Sequence, residues 1–300
     1  MSAGIKDTST QTRTDVTAKR RRNFPSSLLF PAFIPLLLYF LYLLSSPPDF
    51  DTSMLLPRPD APKNALIVTA HPDDEAMFFS PTILALTRNG WNVSGLCLSN
   101  GNAEGLGDQR EKELYASYNL LGVPSSNVEI INDPALQDGM QRAWMPSDAG
   151  KYVYRRLDIE PFSVVIKFDK YGISGHINHR AASLACSPVN WPFLITTRKV
   201  KVWAVRTPSL LEKYMGPLPA IYHLVHTRIA DTEKGREVLR LLRLDRKEGA
   251  WRKVEVINGL ERWWTGIEAM REHKTQLVWF RWIWLGVGSL QWTNTLIEAW

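Results

Sequence analysis

Residues 65–70 read Ala-Leu-Ile-Val-Thr-Ala, an uncharged run too short for a buried helix, and the chain then passes at once into His71-Pro72-Asp73-Asp74-Glu75. A run of that length without polar alternation predicts a strand covered on both faces, as in parallel sheets. Trp91 to Leu98, Val128 to Ile131, Phe162 to Phe168 and residues 200–206 read as further strands. Helices are expected between them: one ending near Asn89 and closed by Gly90, then 109–121, 147–158 and 176–186. This alternation predicts βαβ units and an α/β fold with a doubly wound, Rossmann-like, mostly parallel sheet. With 45% hydrophobic and 22% charged residues, the 300-residue chain can bury such a core. Wholly disordered, collagen-like and disulfide-scaffold architectures are thereby excluded. Cys97 and Cys186 both lie in apolar stretches and read as buried thiols, which fits a reducing compartment.

The segment before the first strand has its own pattern. Residues 1–23 are polar, end in Lys19-Arg20-Arg21-Arg22, and are expected to lack a fold. Phe24 to Leu44 carries no charge, and at ~1.5 Å per residue it would span roughly 30 Å. One N-terminal transmembrane helix is the expectation, with Pro25, Pro31 and Pro35 tolerated there better than in a soluble helix. A cleaved signal peptide fits less well, because its basic region would be unusually long and no small-x-small site precedes Ser45. Residues 45–63 hold five prolines and read as a linker to a domain over 64–300.

The net charge of +6 is not concentrated as a nucleic-acid-binding arm would be, so no nucleic-acid partner is expected. It is nevertheless uneven. Residues 228–253 hold nine Lys/Arg against five Asp/Glu, and eight of the twelve tryptophans lie at or after Trp251. A helix expected over 231–248 would place Arg236, Arg240, Arg243 and Lys247 on one face. Together with the Trp-rich stretch 279–292, that face suggests a second contact with an anionic lipid bilayer. The plain alternatives are a solvated helix face and ordinary packing.

The chemistry concentrates in two clusters. His71, Asp73 and Asp74 directly follow the first buried strand, where open α/β sheets bind ligands. One His and one Asp there can ligate zinc while the other Asp acts as a base. After the fourth strand comes Asp169-Lys170-Tyr171-Gly172-Ile173-Ser174-Gly175-His176-Ile177-Asn178-His179. Its two histidines, at i and i+3 on a helix start, lie on one side of the helix. One can complete a two-His-one-Asp site with an open position for water, and the other can protonate a leaving group or steady an oxyanion. His223 and His226 share the spacing, but Ile221 to His226 alternates like a strand, which would point them to opposite faces.

These residues resemble the LmbE-like zinc deacetylases, and more closely the eukaryotic branch, the N-acetylglucosaminyl-phosphatidylinositol de-N-acetylases. Four landmarks carry the resemblance: Ala70 to Glu75; Gly101-Asn102-Ala103-Glu104-Gly105-Leu106-Gly107 leading to Arg110-Glu111-Lys112-Glu113-Leu114; Gly172 to His179; and Ala269 to Trp282. The match covers roughly residues 62–210 and a tail near 266–296. It implies an LmbE-like fold and zinc, or another divalent metal such as iron, held by His71, Asp74 and His179. It implies Asp73 as general base, His176 as acid or oxyanion partner, and Arg110 and Asp169 at the substrate. The implied reaction removes acetyl from a membrane glycolipid in glycosylphosphatidylinositol synthesis, with the catalytic domain on the cytoplasmic face of the endoplasmic reticulum. The positive-inside rule points the other way, since Arg13 and Lys19 to Arg22 precede the apolar segment while only Arg58 and Lys63 follow it nearby. We follow the resemblance, and the sequon Asn92-Val93-Ser94 offers a check. Thr275 stands where Ser is commoner, and residues 216–255 match no recognised pattern. The competing functions are a deacetylase of another N-acetylglucosaminyl conjugate and a catalytically silent, membrane-anchored interaction subunit.

Overall fold

A computed structural model describes residues 1, 29–45, 47, 50–187, 199–242 and 252–299. Five strands appear where the buried apolar runs predict them: β1 (Asn64–Thr69), β2 (Asn92–Cys97), β3 (Val128–Ile130), β4 (Val164–Phe168) and β5 (Lys201–Val205). All five run parallel. Ala65 to Val68 and Val164 to Ile166 are completely buried, as strands covered by helices on both faces must be. Two further strands, β6 (Lys253–Ile257) and β7 (Thr293–Glu298), extend the sheet antiparallel, in the order β3-β2-β1-β4-β5-β7-β6.

From β1 the chain winds outward through β2 to β3, then returns to β4 on the other side of β1. The direction of winding therefore reverses between β1 and β4. That reversal opens a crevice beyond the strand ends, where doubly wound folds bind ligands. The loops after β1 and β4, which carry the two chemical clusters, border it together.

Helices α2 (Ser80–Arg88), α3 (Gly107–Leu120), α4 (Pro146–Ile159) and α6 (Ile177–Ala185) fall where expected. Gly90 ends the first of them at φ +73°. The short turn α5 (Gly172–Gly175) precedes α6. Helix Leu218–Ala230 replaces the strand expected around 221–226. Its buried residues Ala220, Ile221 and Leu224 follow helical spacing and pack on Leu43 and Leu44, a period that the six-residue alternation concealed. His223 and His226 thus lie on one helical side, and His223 Nε2 sits 3.5 Å from Glu255 Oε2 rather than in a cluster. The basic helix is observed over Glu233–Leu241, with Arg236 and Arg240 on it. Arg243 and Lys247 lie outside the described residues.

The chain divides into two units, Met1–Tyr39 and Phe40–Trp300. Helix α1 (Leu29–Ser45) is 17 residues long and contains Pro35. Among the described residues no helix is long and apolar enough to cross a membrane. Residues 24–28 of the expected span lie outside the described residues.

Candidate active site

Backbone geometry brings the first cluster together. Asp74 Oδ2 accepts the N–H groups of Ala70 and His71, each at 2.9 Å, so its other oxygen faces away from the strand end. Asp73 adopts φ +99°, a left-handed conformation that L residues avoid and that functional loops often hold. Glu75 stabilises it by accepting the Asp73 N–H at 3.1 Å. In the second cluster, Gly172 packs so tightly on His179 that a Cβ would lie 2.7 Å from that residue's Cβ. At φ +67° the position favours glycine for its backbone as well.

Three ligand-type atoms converge. His179 Nε2 lies 3.2 Å from Asp74 Oδ1 and 3.3 Å from His71 Nδ1. Tetrahedral zinc with bonds of about 2.0–2.2 Å requires ligand–ligand edges of roughly 3.3 Å, so the spacing fits a metal. The tautomers fit as well. His179 Nδ1 donates to Gly172 O at 3.0 Å, leaving the Nε2 lone pair inward. His71 Nε2 lies 3.1 Å from Asp138 Oδ1, leaving Nδ1 inward. A carboxylate or carbonyl behind each ligating imidazole is the usual support of a metal centre. His176 also brings a nitrogen within 4.8 Å of one on each of the other histidines. Its Nδ1, however, accepts the Asn178 N–H at 3.2 Å, so in the neutral ring Nε2 carries the proton.

The electrostatics separate the roles. Burial alone would raise the Asp74 carboxyl, but His179, His71 and backbone hydrogen bonds reverse that and hold it low. Burial likewise opposes the Asp138 charge; the His71 hydrogen bond and the charges of His71, His176 and Arg110 outweigh it and hold the group at about 2. Burial, then His71 and His179, push the His176 imidazolium down to about 4. His176 is therefore a neutral donor at neutral pH.

These groups line a cavity of about 890 Å³ together with Arg110, Lys213 and Arg281. Arg110 donates to Gly101 O and to Glu104 Oε2, each at 2.6 Å. Arg281, from helix Trp279–Val287, reaches across to pair with Asp73 Oδ2.

The family model described as PIG-L, GlcNAc-PI de-N-acetylase, matches residues 66–189. The chain is 35% identical over 240 residues to a probable N-acetylglucosaminyl-phosphatidylinositol de-N-acetylase of Schizosaccharomyces pombe, covering 80% of this chain and 88% of that protein. The chain belongs to the GlcNAc-PI de-N-acetylase family. It is also 34% identical over 223 residues to the Bos taurus de-N-acetylase, covering 74% and 78% of the two chains. The fold is shared with a deacetylase of teicoplanin biosynthesis, at TM-score 0.50 and 13% identity over 79% of this chain and 98% of that one.

Of the family-type residues expected from sequence, His71, Asp73, Asp74, Arg110, His176 and His179 all line the cavity. Asp169 does not. Its Oδ1 accepts from Tyr171 N, Gly172 N and Thr207 Oγ1, and its Oδ2 accepts from Thr207 N at 2.7 Å. With both oxygens engaged, Asp169 braces the His-bearing loop. Thr275 keeps the function open to a serine there, since its hydroxyl donates to Glu113 at 2.6 Å.

Sequence reasoning missed Asp138, Arg281 and the fully buried pair of Glu75 and His273, whose Oε1 and Nε2 lie 2.5 Å apart. His273 and Arg281 lie in the C-terminal landmark, which was a signal for their importance but not for their partners. Asp138 sits in a loop with no pattern that would have marked it.

Proposed function

We propose that the chain hydrolyses the acetamide of N-acetylglucosaminyl-phosphatidylinositol, giving glucosaminyl-phosphatidylinositol and acetate, the second step of glycosylphosphatidylinositol-anchor biosynthesis. The observation that carries the reading is the inward-facing trio of His71 Nδ1, Asp74 Oδ1 and His179 Nε2, flanked by Asp73 and His176 in an open cavity. The names of the relatives supply the substrate.

His71, Asp74 and His179 would hold zinc, which when bound supplies a Lewis acid that acidifies water and polarises an amide carbonyl. Asp73 keeps Oδ1 available to take the proton of the attacking water while Arg281 fixes Oδ2. The His176 Nε2–H donates to the carbonyl oxygen as it gains negative charge. As the C–N bond breaks, the proton on Asp73 passes to the departing nitrogen, and acetate and the free amine leave. Arg110, steadied by Gly101 and Glu104, meets the sugar.

We assign residues 64–300 to the deacetylase domain and 24–44 to a single anchor in the endoplasmic reticulum membrane, with the domain cytoplasmic. The stretch 45–63, expected as a plain linker, is one only in part, because Leu55, Leu56 and Ala61 pack into the domain core and Leu55 O accepts from Trp203 Nε1. The apolar helix α1 supports the anchor, and the free, buried Cys97 and Cys186 support the cytoplasmic face. A membrane glycolipid and the bilayer are the partners this reading requires. Asp73→Asn tests it: the variant should bind zinc as the wild type does yet lose turnover. Wild-type turnover would remove Asp73 from the base role.

A further inference from the structure

Helix Trp279–Val287 has two unlike faces. Arg281, Trp284 and Leu285 face inward, the first onto Asp73 and the others into the core. Trp279, Phe280, Trp282 and Ile283 face outward and are 49% to 75% exposed. Leu210 and Leu211, about 70 residues earlier in the chain, are 75% and 76% exposed. The two segments are joined. Tyr214 meets Trp284 edge-on at 5.7 Å, and the Gly216 N–H donates to Val287 O at 2.8 Å. Soluble monomers rarely show so much contiguous apolar side chain without a use for it.

We infer that this face docks on the phospholipid bilayer and turns the mouth of the cavity toward the membrane. The inference rests on the glycolipid reading above and adds which surface meets the lipid. Three observations select a bilayer. First, the patch is the lip of the cavity, because Trp279, Phe280 and Ile283 belong to both. A substrate whose acyl chains stay in the membrane can present its sugar to the cluster only if the lip approaches the bilayer. Second, the chemistry changes in the order such a substrate needs. Exposure grades along the lining: His71 and His179 are buried, Lys213 is half-buried with Nζ donating to Ile173 O at 2.6 Å, and Trp279, Phe280 and Ile283 are exposed. These suit, in turn, a sugar, a phosphodiester and acyl chains. Third, Leu43 and Leu44, at the end of the apolar helix α1, pack on Ala220, Ile221 and Leu224, in the helix that starts directly after this patch. Exposed Trp and Phe on one face of a helix also match the composition that settles at lipid interfaces.

The test uses the full chain reconstituted in phosphatidylcholine–phosphatidylinositol vesicles. An environment-sensitive dye is placed on a cysteine at position 211, 282 or 126. Cys97 and Cys186 are buried and do not compete for label. Ser126 is exposed and precedes β3, at the end of the sheet opposite the cavity. Spin-labelled lipid should quench the dye at 211 and 282 and leave it unchanged at 126. Equal quenching at all three positions, or none at 211 and 282, overturns the inference. Protection from aqueous iodide at 211 without lipid quenching also overturns it and assigns the face to a second copy of the chain. In parallel, Leu211→Glu and Trp282→Glu, neither lining the cavity, should lower kcat/KM on vesicle-borne substrate at least about tenfold. Deacetylation of acyl-free N-acetylglucosaminyl-inositol should be unchanged. Equal losses on both substrates contradict docking. If the wild type acts on neither substrate, the glycolipid reading fails while the quenching still decides the docking.

Discussion

Removing Glu75 should damage the domain more than any other single carboxylate deletion near the site. The residue is fully buried, and so is its partner His273. Glu75 Oε1 accepts from Ser117 Oγ and meets His273 Nε2, both at 2.5 Å, and Oε2 accepts the Asp73 N–H. On the far side, His273 Nδ1 lies 3.2 Å from Gln276 Oε1, and Gln276 donates to Pro72 O. Glu75→Ala therefore strands a buried imidazole, a hydroxyl and the N–H of a left-handed residue. Breaking one side of a buried pair of this kind costs about 3–5 kcal/mol. For a domain of this size that corresponds to a fall in melting temperature of roughly 6–20 °C. Glu75→Gln keeps the shape and one acceptor, so it should lose about 1–3 kcal/mol. Because it loosens the Asp73 backbone, it should lower kcat more than it raises KM. Thermal unfolding of the full chain in detergent, with kinetics at saturating substrate, reads both effects. A Glu75→Ala melting temperature within about 2 °C of wild type would refute the reasoning.

Three other expectations follow from the same geometry. Asp138→Asn should weaken zinc binding about 10–100-fold in competition with a chelator, because it removes the carboxylate behind His71. Unchanged affinity would leave Asp138 without that role. Asp133 is held at about 2 by the Tyr152 hydroxyl, Lys151 and the Ala135 N–H. Its stabilisation is present above the ordinary value of 3.8 and is lost as pH falls toward about 2. Asp133→Asn should flatten unfolding midpoints across that window, by a small amount because solvent screens the group. Asn92 opens the sequon Asn92-Val93-Ser94 at the exposed first position of β2, with its Oδ1 accepting from Asn127 Nδ2. Translation into microsomes should leave it unglycosylated, and a glycan there would place the domain in the lumen.

The part of the fold that builds the site was legible because its strands are buried on both faces. Uncharged runs such as Ala65 to Ala70 have few alternative structures, and chain order then put His71 and His179 at one sheet edge. The antiparallel edge was not legible. In β7, Thr293, Asn294 and Thr295 are buried although polar: Thr293 and Thr295 donate to Val256 O and Glu255 in β6, while Asn294 Oδ1 accepts from Thr82 N and Oγ1 at the start of α2 and its Nδ2 donates to Phe78 O. Hydropathy cannot anticipate a strand whose central polar side chain, Asn294, is satisfied by an element some 200 residues away. The same separation hid the Glu75–His273 and Asp73–Arg281 pairs. Asp169 differs from the expectation in its surroundings, because a carboxylate in a chemical motif looks the same in sequence whether it faces a cavity or backbone N–H groups. The structure separates the two by showing where its oxygens go.

The central claim is that His71, Asp74 and His179 form a metal site that deacetylates a membrane glycolipid. The direct measurement is turnover of N-acetylglucosaminyl-phosphatidylinositol by the purified full chain, with metal stripped by a chelator and then restored. Activity should vanish on stripping and return with one equivalent of zinc or another divalent metal. Full activity in the stripped protein, or none with metal bound, would contradict the account.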